Sequence, residues 1–342
     1  MKSTTRYVLL AALCCALAAG GASAAVSATK APTNVKVATG FFPNVIFTPY
    51  YVAIARGYYA HEGLNVSMNY DRVPNLLQSV ADGAYAFGAS SGDSALIGRD
   101  TGARIKYVMA QYTQYPVGAM WLKHGGPTIK KPSDLKGLRI GISSPGSATD
   151  FGLKALLKAG HLTESDVTVT AVGFAETDAL IHHQIDVAMT FTDNEPVQAR
   201  ALGYPVNVMK VSKYFRLTPN GVVTSQSLFN SNPNEVKGFV KATLRGQAFT
   251  LAHPDKAFKI ALKFMPDLVD PKDIAIQRKV LTARLAYQQP ISHEPLGWSN
   301  PKNWLLTRNF LKSIGALQHQ VNPASVFTNK SVNQVNLHVT TK

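Results

Sequence analysis

Downstream of residue 30 the chain alternates two patterns. Short runs rich in β-branched and aromatic residues give way to stretches whose apolar positions recur every three or four residues. The first half of this rhythm predicts strands at 35–39, 65–70, 85–89, 105–111 and 117–122, with helices at 48–59, 73–81 and from 92 onward. The cluster Gly125-Gly126-Pro127, followed by Lys131-Pro132-Ser133, interrupts it and reads as a crossing into a second half. There the strands fall at 138–143, 167–173, 185–191 and 206–211, around helices at 147–159, 176–183 and 195–202. The run Gly221-Val222-Val223-Thr224 is again strand-like and returns the chain to the first half. Helices at 233–252, 255–265, 271–287 and 301–313 follow, opened by proline signals such as Asn232-Pro233.

Strand–helix alternation of this kind builds mainly parallel sheets covered by helices. Two crossings divide it into one lobe of 34–122 with 222–320, a second lobe of 123–221, and a polar, loosely ordered tail of 321–342, with a cleft between the lobes.

The first 25 residues stand apart. Lys2 and Arg6 precede an apolar run from Tyr7 to Gly20, and Ala22-Ser23-Ala24 has the small-x-small form of an export cleavage site. A leader cut near Ala24 or Ala25 sends the protein to the periplasm. Both cysteines, Cys14 and Cys15, lie in this leader, so the mature chain carries no disulfide and no thiolate. About 315 remaining residues suit two cores rather than one. Lys2 and Arg6 account for two of the net charge of +15, leaving +13 downstream. The basic residues are scattered, with Lys130-Lys131 and Arg278-Lys279 the only adjacent pairs, so the charge reads as a solvated surface and not as a nucleic-acid site.

Catalytic signals are weak: there is no P-loop and no acid pair at a recognisable spacing, and the G-x-S-x-G match at Gly88-Ala89-Ser90-Ser91-Gly92 belongs to a small-residue junction between strand and helix. His182-His183 has no third ligand at metal spacing, and no cofactor or metal is called for. Polar, small-residue junctions between strand and helix do recur, and ligands of α/β folds bind at such strand ends. Four stand out: Phe42-Pro43-Asn44, Ser90-Ser91-Gly92-Asp93, Ser143-Ser144-Pro145-Gly146-Ser147 and Thr192-Asp193-Asn194-Glu195-Pro196. Each alone reads as an ordinary helix cap, and Phe47, Tyr50, Tyr51, Tyr58 and Tyr59 as packing at helical spacing. Two from each half, aimed at one cleft, suggest a binding site.

These residues carry a likeness. The run FFPNVIFTPYYVAIARGYYAHEGL, the segments GASSGDSAL and GISSPGSATD, and VGFAETDAL with DNEPVQARALG resemble periplasmic substrate-binding proteins of ABC importers. The resemblance is to the branch that binds thiamine-pyrimidine precursors or riboflavin, with sulfonate, taurine and nitrate binders as cousins. It spans about Val35 to Met265.

The resemblance implies an α/β, type II periplasmic binding protein fold. Two lobes close on a ligand, and a monomer presents it to an inner-membrane permease. It implies ligand contacts from Phe42, Asn44 and Phe47, from Ser91 and Asp93, from Tyr112 and Tyr115, from Ser143, Gly146 and Ser147, and from Asn194 and Glu195. Glu195 suits the amino or imino groups of a heterocycle and opposes an anion. The alternatives are an anionic solute such as an alkanesulfonate, and an enzyme of pyrimidine synthesis. The latter's cysteine-rich motif is missing here.

Overall fold

The computed structural model describes residues 31–71, 73–291 and 293–337. The leader assigned to 1–25, including Cys14 and Cys15, lies outside the described residues. The chain begins with β1 (Thr33–Ala38), α1 (Thr48–Ala55), α2 (Tyr58–His61), β2 (Leu64–Asn69), α3 (Leu76–Ala81), β3 (Phe87–Ser90), α4 (Gly92–Asp100) and β4 (Ile105–Ala110). It continues through β5 (Val117–Leu122), β6 (Arg139–Ile142), α5 (Ala148–Ala159), β7 (Thr168–Ala171), α6 (Glu176–Ile181), β8 (Val187–Phe191), α7 (Glu195–Ala201) and β9 (Val206–Lys210). The remainder is β10 (Gly221–Ser225), α8 (Gln226–Ser231), α9 (Pro233–Ala252), α10 (Pro254–Leu262), α11 (Pro271–Gln288), α12 (Pro301–Ser313), α13 (Pro323–Val326) and α14 (Lys330–Val335).

Two five-stranded sheets organise these elements, in the orders β2-β1-β3-β10-β4 and β7-β6-β8-β5-β9. In each, the fourth strand runs antiparallel to both neighbours and is the first strand laid down after a crossing: β5 between β8 and β9, β10 between β3 and β4. The return of the chain at β10 is where the sequence pattern puts it. The first crossing is not. β5 belongs to the second sheet, so the chain crosses at residues 111–116 and not at Gly125-Gly126-Pro127. All six β5 residues are buried, so no in–out alternation tells which sheet they cover. The two crossing segments bond to each other, the N–H groups of Gln111 and Tyr112 both reaching the Asn220 carbonyl at 3.0 and 3.3 Å.

The predicted helix at 48–59 is two helices. Gly57 sits at φ 68°, a left-handed conformation that only glycine adopts at no cost, and it breaks α1 from α2. Tyr50, Tyr51 and Tyr59 point into the first core as packing residues. Phe239 of α9 stacks on Phe87 and Tyr59 at ring separations of 3.7 and 5.3 Å, and Tyr59 Oη lies 2.7 Å from Thr243 Oγ1. α9 lies so close to α1 that a side chain at Gly246 would meet the Pro49 carbonyl at 2.0 Å.

The tail is a second correction. Val321, Val326 and Val332 are buried, and Phe327 stacks on Trp304 at 4.9 Å. The Lys106 ammonium donates to the Ser325 carbonyl at 2.7 Å. Three spaced valines and a phenylalanine supply enough apolar surface for residues 321–337 to dock on the first lobe, despite their polar composition. Among the described residues no helix is long and apolar enough to cross a membrane.

Candidate ligand-binding site

The carboxyl ends of both sheets face a cavity of about 190 Å³. From the first lobe it is walled by Thr39, Phe41, Phe47, Gln111 and Tyr112; from the second by Ser143, Phe174, Glu176, Asn194 and Glu195. It opens through shared walls at Ala89, Ser143, Phe174, Phe191 and Asn220 into an outer cleft of about 610 Å³. Ser90, Ser91, Ser94, Ser144 and Ser147 line that cleft. A further cavity of about 410 Å³ lies on the other side of the crossing segments, bordered by Gln111–Tyr115 and the loop around Pro295. It lacks the acids that the strand ends bring together, so the site is assigned to the interlobe cavity.

Of the residues singled out in the sequence, Phe47, Tyr112, Ser143, Asn194 and Glu195 line the inner cavity; Ser91, Gly146 and Ser147 line the outer cleft. The others lie elsewhere. Asn44 is buried and caps the short turn Val45–Phe47, its Oδ1 accepting from the Ile46 N–H at 3.1 Å. Phe42 is 50% exposed and stacks on Phe41, ring centres 3.9 Å apart, so Phe41 and not Phe42 forms the wall. Asp93 and Tyr115 are buried against each other, with Tyr115 Oη 2.5 Å from Asp93 Oδ2 and 2.8 Å from the Ala148 carbonyl. Ser91 Oγ and the Ser94 N–H both donate to Asp93 Oδ1, the latter at 2.6 Å. Burial drives the Asp93 pKa up despite these donors.

The strand ends thus occupy their own donors. The Gly146 N–H donates to Asp150 Oδ2 at 2.8 Å, and the Ser143 N–H to Thr149 Oγ1 at 3.0 Å. Glu195, first residue of α7, folds back so that Oε2 accepts from the Phe191 N–H at 2.9 Å and Oε1 from Asn194 Nδ2 at 2.6 Å. Burial, then the like charge of Glu176, pushes Glu195 up to about 8. Glu176 itself is 4% exposed and is pushed up to about 7 by burial.

Sequence reasoning did not single out Phe41, Phe174, Glu176 or Arg284. Phe174 meets Phe41 edge to face at 4.8 Å, closing an aromatic contact across the mouth between the lobes. Arg284 reaches from α11 to the β8–α7 turn, 3.3 Å from Asp193 Oδ2, with both side chains at 3% exposure or less. Its guanidinium lies 4.2 Å from the Tyr112 ring centre and donates to Tyr112 Oη. Thr192 Oγ1 and Tyr287 Oη hydrogen-bond beside it. A helix packed in the first lobe therefore holds the second lobe by a buried ion pair.

Comparison with known proteins adds the lineage. The NMT1/THI5-like family model matches residues 44–257. The chain belongs to that family. Among its relatives, the riboflavin-binding protein RibY of Chloroflexus aurantiacus is 37% identical over 336 residues, 95% of each chain. A formylaminopyrimidine-binding protein of Halalkalibacterium halodurans is 23% identical, covering 87% of this chain and 91% of its own. A 4-amino-5-hydroxymethyl-2-methylpyrimidine phosphate synthase of Legionella pneumophila is 24% identical, covering 75% and 80%. Among solved structures, a protein of Bordetella bronchiseptica superposes with a TM-score of 0.70 at 23% identity, over 89% of this chain and 97% of that one. The periplasmic aliphatic sulphonate-binding protein SsuA of Escherichia coli gives 0.66 at 14%, over 86% and 91%. The family member described here has their two-lobed periplasmic binding protein fold.

Proposed function

We propose that this protein is an extracytoplasmic solute-binding protein that captures a neutral planar heterocycle, riboflavin in the first instance, and delivers it to an ABC permease. The observation that carries the reading is the fate of the strand-end donors. An anion site in this fold draws on free N–H groups at helix starts. Here Asp93, Thr149, Asp150 and Glu195 accept from backbone N–H groups along the strand-to-helix junctions, and three acids, Glu176, Asp193 and Glu195, line the cavity with Arg284 already paired to Asp193. Such a lining opposes a sulfonate or nitrate and suits a ring with N–H and carbonyl groups between aromatic walls.

The cavity's two parts favour riboflavin over a single pyrimidine ring. An inner chamber walled by Phe41, Phe47 and Phe174 suits the flavin ring, and the serine-lined outer cleft suits its polyol arm. A lone pyrimidine leaves the outer part empty. The likeness to RibY supports the same choice. Binding rather than catalysis accounts for the acids: Glu195 is held by its own turn, and no group beside it is placed as a partner nucleophile.

Titration of the purified protein with riboflavin, followed by flavin fluorescence, tests this directly. Saturable binding in the micromolar range or tighter is expected, with no response to taurine, alkanesulfonates or nitrate. Thermal shift gives an independent readout, since a ligand at a hundredfold excess over its Kd raises stability by about 2.7 kcal/mol. A melting shift with a sulfonate, and none with flavins or pyrimidines, overturns the reading.

A further inference from the structure

We propose that Glu176 is the residue that reads the hydrogen-bonding edge of the heterocycle, pairing through its carboxyl with a ring carbonyl and the adjacent N–H. The proposal rests on the heterocycle reading above and adds a specificity-determining residue to it. Its basis is the contrast between Glu176 and Glu195, the two cavity acids not paired to Arg284. Both Glu195 oxygens are already engaged, by the Phe191 N–H and Asn194 Nδ2, so that side chain holds the β8–α7 turn. Glu176 opens α6, is 4% exposed, lines the cavity, and its carboxyl meets only its own backbone N–H. No other side chain or backbone N–H holds this carboxyl, so it is free to bond a group placed in the cavity.

The surroundings decide the form in which it acts. Glu195 and Asp193 face the same cavity from the β8–α7 turn, and Tyr112 and Arg284 face it from the first lobe. Arg284 is committed to Asp193 and Tyr112, which leaves Glu176 without a countercharge. Beside a second acid and under a bound ring, the neutral carboxylic acid is the favoured form. A neutral acid has one donor and one acceptor side by side. That set is complementary to O=C–N–H, the edge of a lactam or imide, and equally to the N=C–NH₂ edge of an aminopyrimidine. Riboflavin carries one ring N–H, flanked by two carbonyls, so the contact can be tested at a single atom.

The experiment is a chemical double-mutant cycle. Riboflavin and 3-methylriboflavin, in which that N–H is replaced, are titrated into wild-type, Glu176→Ala and Glu176→Gln proteins at pH 6 and pH 9. Folding of each variant is checked by circular dichroism. Glu176→Ala is expected to weaken riboflavin binding at least tenfold at pH 6. Glu176→Gln, which keeps one donor and one acceptor, stays within about threefold of wild type. Wild-type affinity falls towards pH 9 as the acids ionise against a buried neutral ring, and Gln removes the part of that fall that sets in near pH 7. Methylation costs the wild type at least tenfold and the Ala variant little.

An Ala variant that binds as the wild type does, or a methylation penalty equal in both, overturns the assignment while leaving the flavin reading intact. If the Ala variant does not fold, a wild-type pH profile in the Gln variant overturns it. Failure of the wild type itself to bind riboflavin removes the reading and this inference together.

Discussion

Two acid clusters sit at strand ends of this molecule, and only one of them is finished. Around Asp93 every neighbour is spoken for: Ser91, the Ser94 N–H and Tyr115 converge on one carboxylate, and the Ala148 carbonyl closes the far side. Around Glu176, Asp193 and Glu195 the count is short: Glu195 is held by its turn, Asp193 Oδ1 has no partner, and Glu176 meets only its own backbone N–H beside the cavity. Both clusters sit where a strand gives way to a helix. Their difference teaches that position at a strand end does not mark a ligand site. An unfilled hydrogen-bond requirement beside a cavity does.

The first way to break this comparison is to empty the finished cluster. Asp93→Leu takes the acceptor from the Ser91 hydroxyl and the Ser94 N–H and leaves the Tyr115 hydroxyl only the Ala148 carbonyl, and a loss of about 3 kcal/mol in unfolding free energy is expected. Chemical denaturation measures it. Any folded Asp93→Asn protein should bind riboflavin with close to wild-type affinity. A tenfold weaker affinity at unchanged stability places Asp93 in the site after all.

Arg284 lies between the two cases, because it does both jobs. It spans the lobes to Asp193, whose pKa burial raises and Arg284 lowers. Arg284→Met removes a buried charge and strands its partner, at a cost of about 3 kcal/mol. The pair joins α11 to the second lobe, so the variant is also expected to favour the open form and to weaken riboflavin binding several-fold. Scattering of the ligand-free variant, showing a larger radius than wild type, checks the second effect. A stability loss with unchanged affinity confines Arg284 to the fold.

How much of this was legible in the sequence follows the range of the interactions. Strand–helix rhythm is local, so β10, α9 and α12 fall where the pattern puts them. The sheet that β5 joins is decided by pairing with β8 and β9, about 70 to 90 residues further on, and six buried residues in a row carry no face signal. At the site, Ser143, Asn194 and Glu195 were visible as junction residues. Asn44 and Asp93 looked the same and turned out to be a cap and a clasp, because a cap and a contact use the same residue types. Arg284 had no local signal at all, its partner lying 91 positions away. Glu176 was hidden as the first acid of a helix, where acids are ordinary.

Proton binding sharpens the comparison further. Glu176 at about 7 and Glu195 at about 8 both stand above the ordinary 4.5 of an unfolded chain. The folded protein therefore holds protons that the unfolded chain releases. The contribution is full below about pH 4.5 and is lost as pH rises through 7 and 8. Unfolding free energy, and melting temperature with it, is expected to fall between pH 5 and 8.5, the former by an amount on the order of 3 kcal/mol for Glu176 alone. Glu176→Gln should flatten that slope, and riboflavin should steepen it if the ring favours the neutral acid. A melting temperature that rises across the same window contradicts the raised values.

The smallest effect concerns the cavity's mouth. Phe174, 56% exposed, reaches from the second lobe to Phe41 of the first, and Phe42 stacks behind. An exposed aromatic of that size costs solubility, so its contact across the cleft needs a reason, and closing over a bound ring supplies one. The edge-to-face pair is worth about 0.5–1.5 kcal/mol beyond burial. Phe174→Ala should leave unfolding and the pH profile unchanged while releasing riboflavin about three- to tenfold faster, with association little altered, because the contact forms only once the lobes have met. Stopped-flow fluorescence separates the two rates. If association slows instead, Phe174 guides the ring in rather than holding it. The unfinished cluster would then be reached through an aromatic entrance instead of being sealed by one.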